Sequence, residues 1–371
     1  MSLFSRAPTS LCILRLSAIG DCVNTVAVVQ AIQRQWPGTA ITWIMGKVEA
    51  NLLGDLPGVE VLVYDKREGW AGYRRIWRQL SGRRFDALLH MQTALRASLL
   101  SLGIRARYRL GFCRERADDG QWLFTNHRVP APAGWHVLDN LMGFAGALGV
   151  NDLQPQWAIP TSAQDDSWAQ GQLGSAPTLL LSPSASKPTR NWTVDGYAGL
   201  IAHAQQCGLQ VALCGGPSAS ERQLGEAICA ACPTPPLNLI GQTNLKQLLA
   251  LMKQARMVVS PDSGPGHMAN AAGAPVLGLY ADQTPRRTGP YRWQAYAVSV
   301  FEPLLAAQGK DPATLPWRTR LRQEDAMQHI TLPMVIQAFD QLLAATTAYF
   351  SATAADTPAT ASAAPATGAS S

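Results

Sequence analysis

One short segment of the chain combines a carboxylate, two glycines and a histidine directly after an apolar run. The segment is Ser260-Pro261-Asp262-Ser263-Gly264-Pro265-Gly266-His267, and the run 257–259 before it is typical of a buried parallel strand. The two glycines would let backbone amides approach a bound group, and the N-terminus of the following helix favours an anion such as a diphosphate. Asp262 is better suited to hydroxyl groups beside that anion. The segment therefore indicates a nucleotide-sugar site, and a tight turn capped by Asp262 is an equal alternative.

A second carboxylate lies at the first turn between a strand and a helix. The turn reads Arg15-Leu16-Ser17-Ala18-Ile19-Gly20-Asp21, which lacks the G-x-G-x-x-G fingerprint of dinucleotide-binding proteins. Asp21 falls where the first helix begins, and an N-cap role would by itself explain an aspartate there. Such a turn also opens on a central cleft, where the helix dipole favours a carboxylate that can accept a proton from a sugar hydroxyl.

Two further loops follow strands of the second half. Ser182-Pro183-Ser184-Ala185-Ser186 precedes Lys187-Pro188-Thr189-Arg190, and the hydroxyls and the two cations suit a diphosphate, although a solvated basic loop is the alternative. Cys214-Gly215-Gly216-Pro217 follows the next strand, with Glu221 one turn into a helix. Gly215 permits close approach of a ligand ring, and Glu221 is placed to meet ribose hydroxyls. A plain turn followed by a first-turn acid is the alternative for this loop.

These loops require strands whose carboxyl ends meet along one cleft, and the order of elements supplies them. Strands alternate with helices in both halves, which predicts an α/β fold of two Rossmann-like doubly wound domains facing each other, with ligands at the strand ends. Predicted strands are 12–16, 41–45, 59–64, 85–89, 108–111, 178–182, 210–214, 237–240, 257–260 and 276–280. Predicted helices are 23–35, 70–80, 94–102, 136–148, 194–206, 218–230 and 245–254.

The composition of the chain sets the domain boundaries. Residues 1–150 form an N-terminal domain, a linker rich in Pro, Gln and Ser covers 151–177, and 178–330 form a C-terminal domain. An amphipathic helix within 331–350 is expected to return and brace the N-terminal half. Residues 351–371 are almost entirely Ala, Thr, Ser, Pro and Gly, which predicts a disordered tail.

Charge and composition limit the possible partners. The net charge of +6 indicates an anionic partner, either nucleic acid or an acidic membrane surface, but no common nucleic-acid module is present. No apolar run approaches the roughly 18 residues of a membrane span, and residues 1–10 lack the apolar core of a signal peptide, which predicts a cytoplasmic protein. The seven cysteines and six histidines are scattered, so we predict neither a disulfide framework nor a metal site.

Taken in order, several of these segments resemble the bacterial heptosyltransferase family (glycosyltransferase family 9), whose members add heptose to the inner core of lipopolysaccharide. The resemblance spans roughly residues 11–340, closest to the branch that adds the first heptose. The segments that carry it are 15–21, Arg190-Asn191-Trp192, Gly241-Gln242-Thr243 with Leu245, and Asp262-Ser263-Gly264 with His267. It implies a GT-B fold, an ADP-heptose donor, inversion at the anomeric carbon and no metal or other cofactor.

The resemblance also implies roles for individual residues. Asp21 would be the general base, Arg190 and Lys187 would hold the diphosphate, and Asp262 would bind the heptose. Ser263, Gly264 and His267 would line the phosphate side. The family usually has Lys at position 190 and a basic residue at 191, so Arg190 and Asn191 leave open which cation contacts the diphosphate. The whole donor site is predicted as Ser184, Lys187, Arg190, Gly215, Glu221, Asp262, Ser263, Gly264 and His267.

A basic segment of the N-terminal half is a candidate for binding a lipid acceptor. Lys66, Arg67, Arg74, Arg75, Arg78, Arg83 and Arg84 crowd together with few acids nearby. We predict that Arg74, Arg75 and Arg78, with Ser17, bind a lipid A-type anionic acceptor at the cytoplasmic surface of the inner membrane, and a solvated helix face is the alternative. Two other functions stay open, a GT-B transferase using another nucleotide sugar and a nucleotide-sugar-binding protein without turnover.

Overall fold

Short apolar runs build the first of two parallel sheets in the computed structural model, which describes residues 2–355. The strands are β1 (Ser10–Leu14), β2 (Ala40–Gly46), β3 (Val59–Tyr64), β4 (Phe85–His90), β5 (Ala106–Phe112) and β6 (His127–Val129). The helices between and after them are α1 (Ile19–Gln35), α2 (Lys47–Leu53), α3 (Trp70–Gln79), α4 (Leu95–Ser101) and α5 (Val137–Leu148). The strand order is β3-β2-β1-β4-β5-β6, and every recorded pairing is parallel.

The second half of the chain repeats this plan. After α6 (Ala163–Leu173), its strands are β7 (Thr178–Leu181), β8 (Gln210–Leu213), β9 (Leu237–Asn238), β10 (Met257–Pro261), β11 (Val276–Tyr280) and β12 (Val298–Ser299). Its helices are α7 (Val194–Gln206), α8 (Ala219–Ala231), α9 (Leu245–Gln254), α10 (Gly264–Ala272), α11 (Pro285–Thr288), α12 (Phe301–Ala307) and α13 (Leu332–Ala355). The order β12-β11-β10-β7-β8-β9 has the same connectivity as the first sheet. The predicted α/β fold is confirmed.

The strand order explains where a ligand can bind. In each sheet the chain builds outward from the first strand on one side and then crosses to the other side. The order reverses between β1 and β4 in the first sheet and between β7 and β10 in the second. In open α/β sheets, the crevice at the carboxyl ends of the strands next to such a reversal is the usual ligand site. The loops after β1, β7 and β10 carry three of the predicted site segments.

The predicted linker contains a helix that the sequence analysis missed. Ser162 caps α6, because its Oγ accepts a hydrogen bond from the Asp165 amide at 3.1 Å and the Asp165 carboxylate accepts one from the Ser162 amide at 3.1 Å. This reciprocal pair is a capping box, whose Ser-x-x-Asp spacing was readable in the sequence. The helix packs against α9 of the second half, so this part of the linker is ordered structure.

The first helix begins earlier than predicted. Its N-cap is Ala18, whose side chain caps nothing, and Asp21 lies inside the first turn. The interpretation of Asp21 as an N-cap was therefore wrong. An acid in the first turn still interacts favourably with the helix dipole.

The last helix packs within the C-terminal half. Its main contacts are with α7, β11, β12 and the short helical turn Gln294–Tyr296, and Val335, Phe339 and Leu342 are buried in the same hydrophobic core as those elements. We expected this helix to brace the N-terminal half. Its contacts with the C-terminal half correct that expectation. The helix continues to Ala355, so residues 351–355 of the predicted disordered tail are helical, and residues 356–371 lie outside the described residues. Within the described chain, no helix combines the length and apolar character required to cross a bilayer.

The two halves meet where α1 packs against α10, and two glycines permit the close approach. A Cβ atom on Gly20 would lie 2.6 Å from Cδ2 of His267, and one on Gly264 would overlap Cγ2 of Ile19. Both contacts are closer than two carbon atoms of real side chains approach each other. The first turn of the N-terminal half and the segment after β10 are therefore held face to face.

Candidate functional site

Loops from both halves enclose a cleft of about 1320 Å³. Most of the residues predicted for the site line this cleft. They are Asp21, Ser184, Arg190, Gly215, Glu221, Asp262, Ser263, Gly264 and His267. The cleft is bordered by the carboxyl ends of β1, β7, β8 and β10, which is the position that the strand order indicates.

Asp21 presents a carboxylate to the cleft from the N-terminal half. It forms an ion pair with Arg15, whose side chain is 12% exposed, whereas that of Asp21 is 37% exposed. Arg15 also donates to the carbonyl oxygen of Met91, and its own carbonyl oxygen accepts from Nε1 of Trp43 at 3.1 Å. The buried partner is thus fixed by the sheet, and it orients a carboxylate that solvent or a substrate hydroxyl can reach.

His267 is buried in the cleft, where the charges of both Asp21 and Asp262 act on it. Burial lowers the pKa of His267, and the negative charges of Asp21 and Asp262 oppose that shift. The imidazole is therefore neutral near pH 7. Its Nδ1 lies 3.4 Å from Nδ2 of Asn24 on α1, so the ring also belongs to the contact between the two halves.

Arg190 is held between two carboxylates of the C-terminal half. Its Nη1 lies 3.0 Å from Oδ2 of Asp262, while its Nη2 and Nε donate to Oδ2 of Asp282 at 2.8 and 3.1 Å. Gln283 donates a further hydrogen bond to Asp262. Lys187, in contrast, is exposed and does not line the cleft. Of the two cations that the sequence left open, Arg190 is the one that faces the cleft.

Glu221 shapes the glycine turn after β8. Its Oε2 accepts from the amide of Gly216 at 2.6 Å, and its Oε1 accepts from Oγ of Ser218 at 3.0 Å. A Cβ atom on Gly215 would lie 2.9 Å from this carboxylate. The structure therefore shows the turn-forming role that was the alternative reading of the sequence. Glu221 also lines the cleft, where a ribose could reach it. Its contact with a ribose therefore stays a prediction.

Several cleft residues were not predicted as site residues, although Thr243 belongs to a segment that carried the family resemblance. They are Thr243, Asn244 and Lys246 at the start of α9, and Gln283, Arg287 and Arg320. Nζ of Lys246 reaches the N-terminal half, where it lies 2.6 Å from Oδ1 of Asp55. The sequence signals were the short basic runs Pro285-Arg286-Arg287 and Trp317-Arg318-Thr319-Arg320, which had no predicted element to place them.

The residues predicted for the acceptor do not line the cleft. Arg74 and Arg78 are exposed on α3, whereas Arg75 donates to both carboxylate oxygens of Glu68 at 2.9 and 3.0 Å. Arg75 therefore has an acidic partner, contrary to the expectation that this segment has too few acids to pair its arginines. Oγ of Ser17 accepts from Nη2 of Arg96 at 3.1 Å, so this hydroxyl has a role in the first turn itself.

One set of potential metal ligands comes together, which the sequence analysis did not predict. Nε2 of His203 lies 2.7 Å from Oδ1 of Asp340 and 3.8 Å from Sγ of Cys207. Among the described residues this is the one group of at least three His, Cys, Asp or Glu side chains with such spacing. His203 lies in the last turn of α7 and Cys207 follows its end, a spacing of four residues that was readable, but Asp340 reaches them only because α13 packs on α7. None of the three lines the cleft.

Comparisons with known proteins identify the family and related folds. The family model of glycosyltransferase family 9 (heptosyltransferase) matches residues 73–316. The lipopolysaccharide core heptosyltransferase OpsX of Haemophilus influenzae is 45% identical over 344 residues, which cover 92% of this chain and 99% of that protein. A family 9 glycosyl transferase from Veillonella parvula has a similar fold, with a TM-score of 0.76, 19% identity, and coverage of 92% of this chain and 98% of the other. Escherichia coli ADP-heptose lipopolysaccharide heptosyltransferase II has a TM-score of 0.68 at 21% identity, and the match covers 91% and 99% of the two chains.

Proposed function

Because this chain belongs to glycosyltransferase family 9, the heptosyltransferase family, we propose that it transfers heptose from ADP-heptose to the keto-deoxyoctulosonate–lipid A inner core of lipopolysaccharide. The observation that carries the proposal is the arrangement of two carboxylates across one cleft. Asp21 faces it from the N-terminal half and Asp262 from the C-terminal half, beside the loops that are predicted to bind an anion. In a transfer between two sugars, one carboxylate can act as the base for the acceptor hydroxyl and the other can bind hydroxyls of the donor.

The reaction is a single displacement with inversion. Asp21 removes the proton from the acceptor hydroxyl as that oxygen attacks the anomeric carbon of heptose. The bond from that carbon to the diphosphate breaks, and ADP leaves from the opposite face with the electron pair. General-base catalysis of this kind contributes about 10²- to 10⁴-fold to a rate. Arg15 holds the carboxylate of Asp21 in place for the proton transfer.

The donor is proposed to lie along the C-terminal side of the cleft. A guanidinium group has five N–H donors; Arg190 donates from Nε and Nη2 to Asp282, while Nη1 forms an ion pair with Asp262, so N–H groups of Nη1 and Nη2 remain for the diphosphate. The amides at the start of α10 and the hydroxyl of Ser184 supply further donors. Asp262, fixed by Arg190, accepts hydrogen bonds from heptose hydroxyls.

We propose that the reaction needs no metal ion. The acids nearest the proposed diphosphate position already have cationic partners, since Arg190 serves both Asp262 and Asp282. Asp21 is paired with Arg15. Fixed cations and helix amides can then stabilise the growing charge on the leaving ADP, as preorganised donors do in other enzymes.

The acceptor is proposed to approach over α3 from an anionic membrane surface. Trp70, at the first turn of this helix, is 64% exposed, and Arg74 and Arg78 are exposed further along it. An exposed tryptophan with nearby arginines suits the headgroup region of a bilayer. We therefore propose peripheral association with the cytoplasmic face of the inner membrane.

The experiment that tests this function uses the purified chain, ADP-heptose and a keto-deoxyoctulosonate–lipid A acceptor in excess EDTA. We expect ADP release that depends on the acceptor, and a product whose anomeric configuration is inverted in nuclear magnetic resonance spectra. UDP- and GDP-sugars serve as donor controls. Faster transfer from another nucleotide sugar would support a different donor, and binding of ADP-heptose without transfer would support a binding protein.

A further inference from the structure

A group of arginines and one tryptophan lies at the end of the cleft and is not explained by the donor site. Arg116 and Arg287 both lie over the ring of Trp317, with Cζ atoms 4.2 and 4.3 Å from its centre. Nε1 of Trp317 donates to the carbonyl oxygen of Trp135 at 2.7 Å. Arg116 and Trp135 belong to the N-terminal half, so Trp317 is fixed at the contact between the halves.

Arg287 is a cation without a carboxylate partner. It lines the cleft, and no acid lies within ion-pair distance of it in the part of the chain that the structure describes. Its Nη1 donates to Oε1 of Gln283 at 2.7 Å, while its Nε is buried without any hydrogen-bond partner. Burial lowers the pKa of Arg287, and the positive charges of Arg320 and Arg116 lower it further, while the more distant carboxylates of Asp21 and Asp262 oppose the shift without forming an ion pair with it. An arginine retains its charge at neutral pH even so, and a half-buried charge without a partner is costly.

Arg320 adds a second cation to the same wall of the cleft. Its closest acid is Asp282, at 3.7 Å from Nη1 to Oδ2, and Asp282 is already bound closely by Arg190. Two guanidinium groups that repel each other are thus held beside one cavity. A bound anion would remove both the repulsion and the unpartnered N–H group, and forked guanidinium donors fit carboxylates and phosphates.

The strand order separates this end of the cleft from the nucleotide loops. Arg287 follows β11, which lies on one side of β10, whereas Gly215, Glu221 and Asn244 follow β8 and β9 on the other side. In the N-terminal half, Arg116 follows β5, on the side of β1 away from α2. Asp21 and Asp262 lie between the two ends. An anion beside Arg287 is therefore across the reacting groups from the nucleotide.

We propose that Arg287 and Arg320 form a subsite for an anionic group of the acceptor sugar, a carboxylate or a phosphate monoester. Trp317 is a positioning residue, since it holds Arg287 against the cleft by cation–π contact. The subsite rests on the proposed function, because it takes the ligand at this end to be the acceptor. It places the acceptor sugar by charge while Asp21 takes its proton.

The test compares Arg287→Gln with Arg286→Gln. Arg286 is the preceding residue of the same short helix, but it is exposed, lies over Trp135 and does not line the cleft. We expect Arg287→Gln to raise the acceptor KM by about ten- to a hundred-fold, the range for a lost hydrogen bond to a charged group, with an unchanged donor KM. Arg287→Lys should recover part of the loss, and thermal unfolding should confirm that each variant is folded.

Modified acceptors identify the anion. If a carboxylate is bound, converting the keto-deoxyoctulosonate carboxylate to its amide should raise the acceptor KM of the wild type and remove the difference from Arg287→Gln. If a phosphate is bound, enzymatic dephosphorylation of the acceptor should have that effect instead. An acceptor KM that changes no more than in Arg286→Gln, or a loss that falls on ADP or the donor, would overturn the subsite.

Direct binding separates this proposal from the proposed function. Calorimetric titration of the acceptor into the wild type and into Arg287→Gln needs no turnover. Suppose that the variant binds the acceptor more weakly and the wild type does not transfer heptose from ADP-heptose. This result would refute the donor assignment and support the subsite. Equal acceptor affinity in the two proteins, or no acceptor binding to either, would refute the subsite.

Discussion

Nη1 of Arg190 lies 3.0 Å from Oδ2 of Asp262, and this pair joins the loop after β7 to the end of β10. The same guanidinium group binds Asp282 through Nη2 at 2.8 Å. One buried cation therefore fixes a carboxylate that faces the cleft and a second carboxylate that does not line it. Because only Asp262 lines the cleft, variants of the two acids can separate direct contact with the donor from an effect on Arg190.

Replacing Asp262 with alanine should weaken binding of ADP-heptose more than binding of ADP. The reason is that its carboxylate is proposed to accept hydrogen bonds from heptose hydroxyls, which ADP lacks. Isothermal titration with the two ligands measures the difference. Asp282→Asn is the matched control, since it also loosens Arg190 without removing a group from the cleft. Equal losses for both ligands in Asp262→Ala would show that the residue acts only through Arg190.

The variant Asp21→Asn should lose most of its turnover, by about 10²- to 10⁴-fold, because the amide cannot take the proton of the acceptor hydroxyl. Donor affinity should stay close to that of the wild type. Single-turnover measurements with saturating ADP-heptose report the chemical step. Asp195 lies in the first turn of α7 and is exposed, so Asp195→Asn controls for loss of a helix-dipole interaction. A near-normal rate in Asp21→Asn would mean that another group is the base.

Exposed arginines of α3 should contribute to membrane and acceptor binding. The double variant Arg74→Ser, Arg78→Ser should bind anionic vesicles about 2 kcal/mol more weakly at low salt, at about 1 kcal/mol for each basic group. Its acceptor KM should rise several-fold while its donor KM is unchanged. Cosedimentation with vesicles that contain acidic lipid measures the first effect. A double variant of Arg105 and Arg107, which are exposed near the amino end of β5, is the matched control. Equal vesicle binding by the two double variants would leave α3 as a solvated face.

The close approach of α1 and α10 should make Gly264→Ala destabilising. The added Cβ atom overlaps Ile19, and overpacking of this kind typically costs about 1–3 kcal/mol. Chemical denaturation measures the free energy of unfolding. Gly171→Ala is the control, because this helical glycine has open space around it and the change should stabilise the helix by about 0.5–1 kcal/mol. Adding Ile19→Ala to Gly264→Ala should recover part of the stability if the clash is the cause.

Two buried histidines should make the fold sensitive to acid. Burial is the main cause that lowers the pKa of His90 and of His136 to about 3. The unfolded chain takes up these protons near pH 6.5, whereas the folded protein does not, so the free energy of unfolding falls as the pH drops below about 6.5. Each histidine contributes up to about 1.4 kcal/mol per pH unit in that range.

His136→Gln should flatten this pH dependence. Its Nε2 lies 2.8 Å from the carbonyl oxygen of Gly289, and a glutamine amide can replace that donor without titrating. Urea denaturation between pH 5 and pH 7 measures the slope. His329→Gln is the control, since the His329 side chain is 47% exposed. An unchanged slope in His136→Gln would indicate that this histidine does not carry the acid sensitivity.

The sequence by itself determined the fold class and the local parts of the site. Alternation of strands and helices depends on periodicity within a few residues, so it was readable. The spacing of Asp262 and His267 around one turn, and the place of Asp21 at the first strand–helix turn, are likewise set by neighbouring residues. For the same reason, the missed capping box of Ser162 and Asp165 was present in the sequence and available for prediction.

The tertiary structure alone decided which distant groups meet. Arg190 and Asp282 are 92 residues apart, and Arg116 and Trp317 come from different halves, so their contacts depend on how whole sheets and helices pack. The course of α13 and its pairing of Asp340 with His203 were decided in the same way. Local sequence fixes the shape of a turn and the face of a helix, but contact across a cleft is fixed by the sum of many packing interactions along both domains.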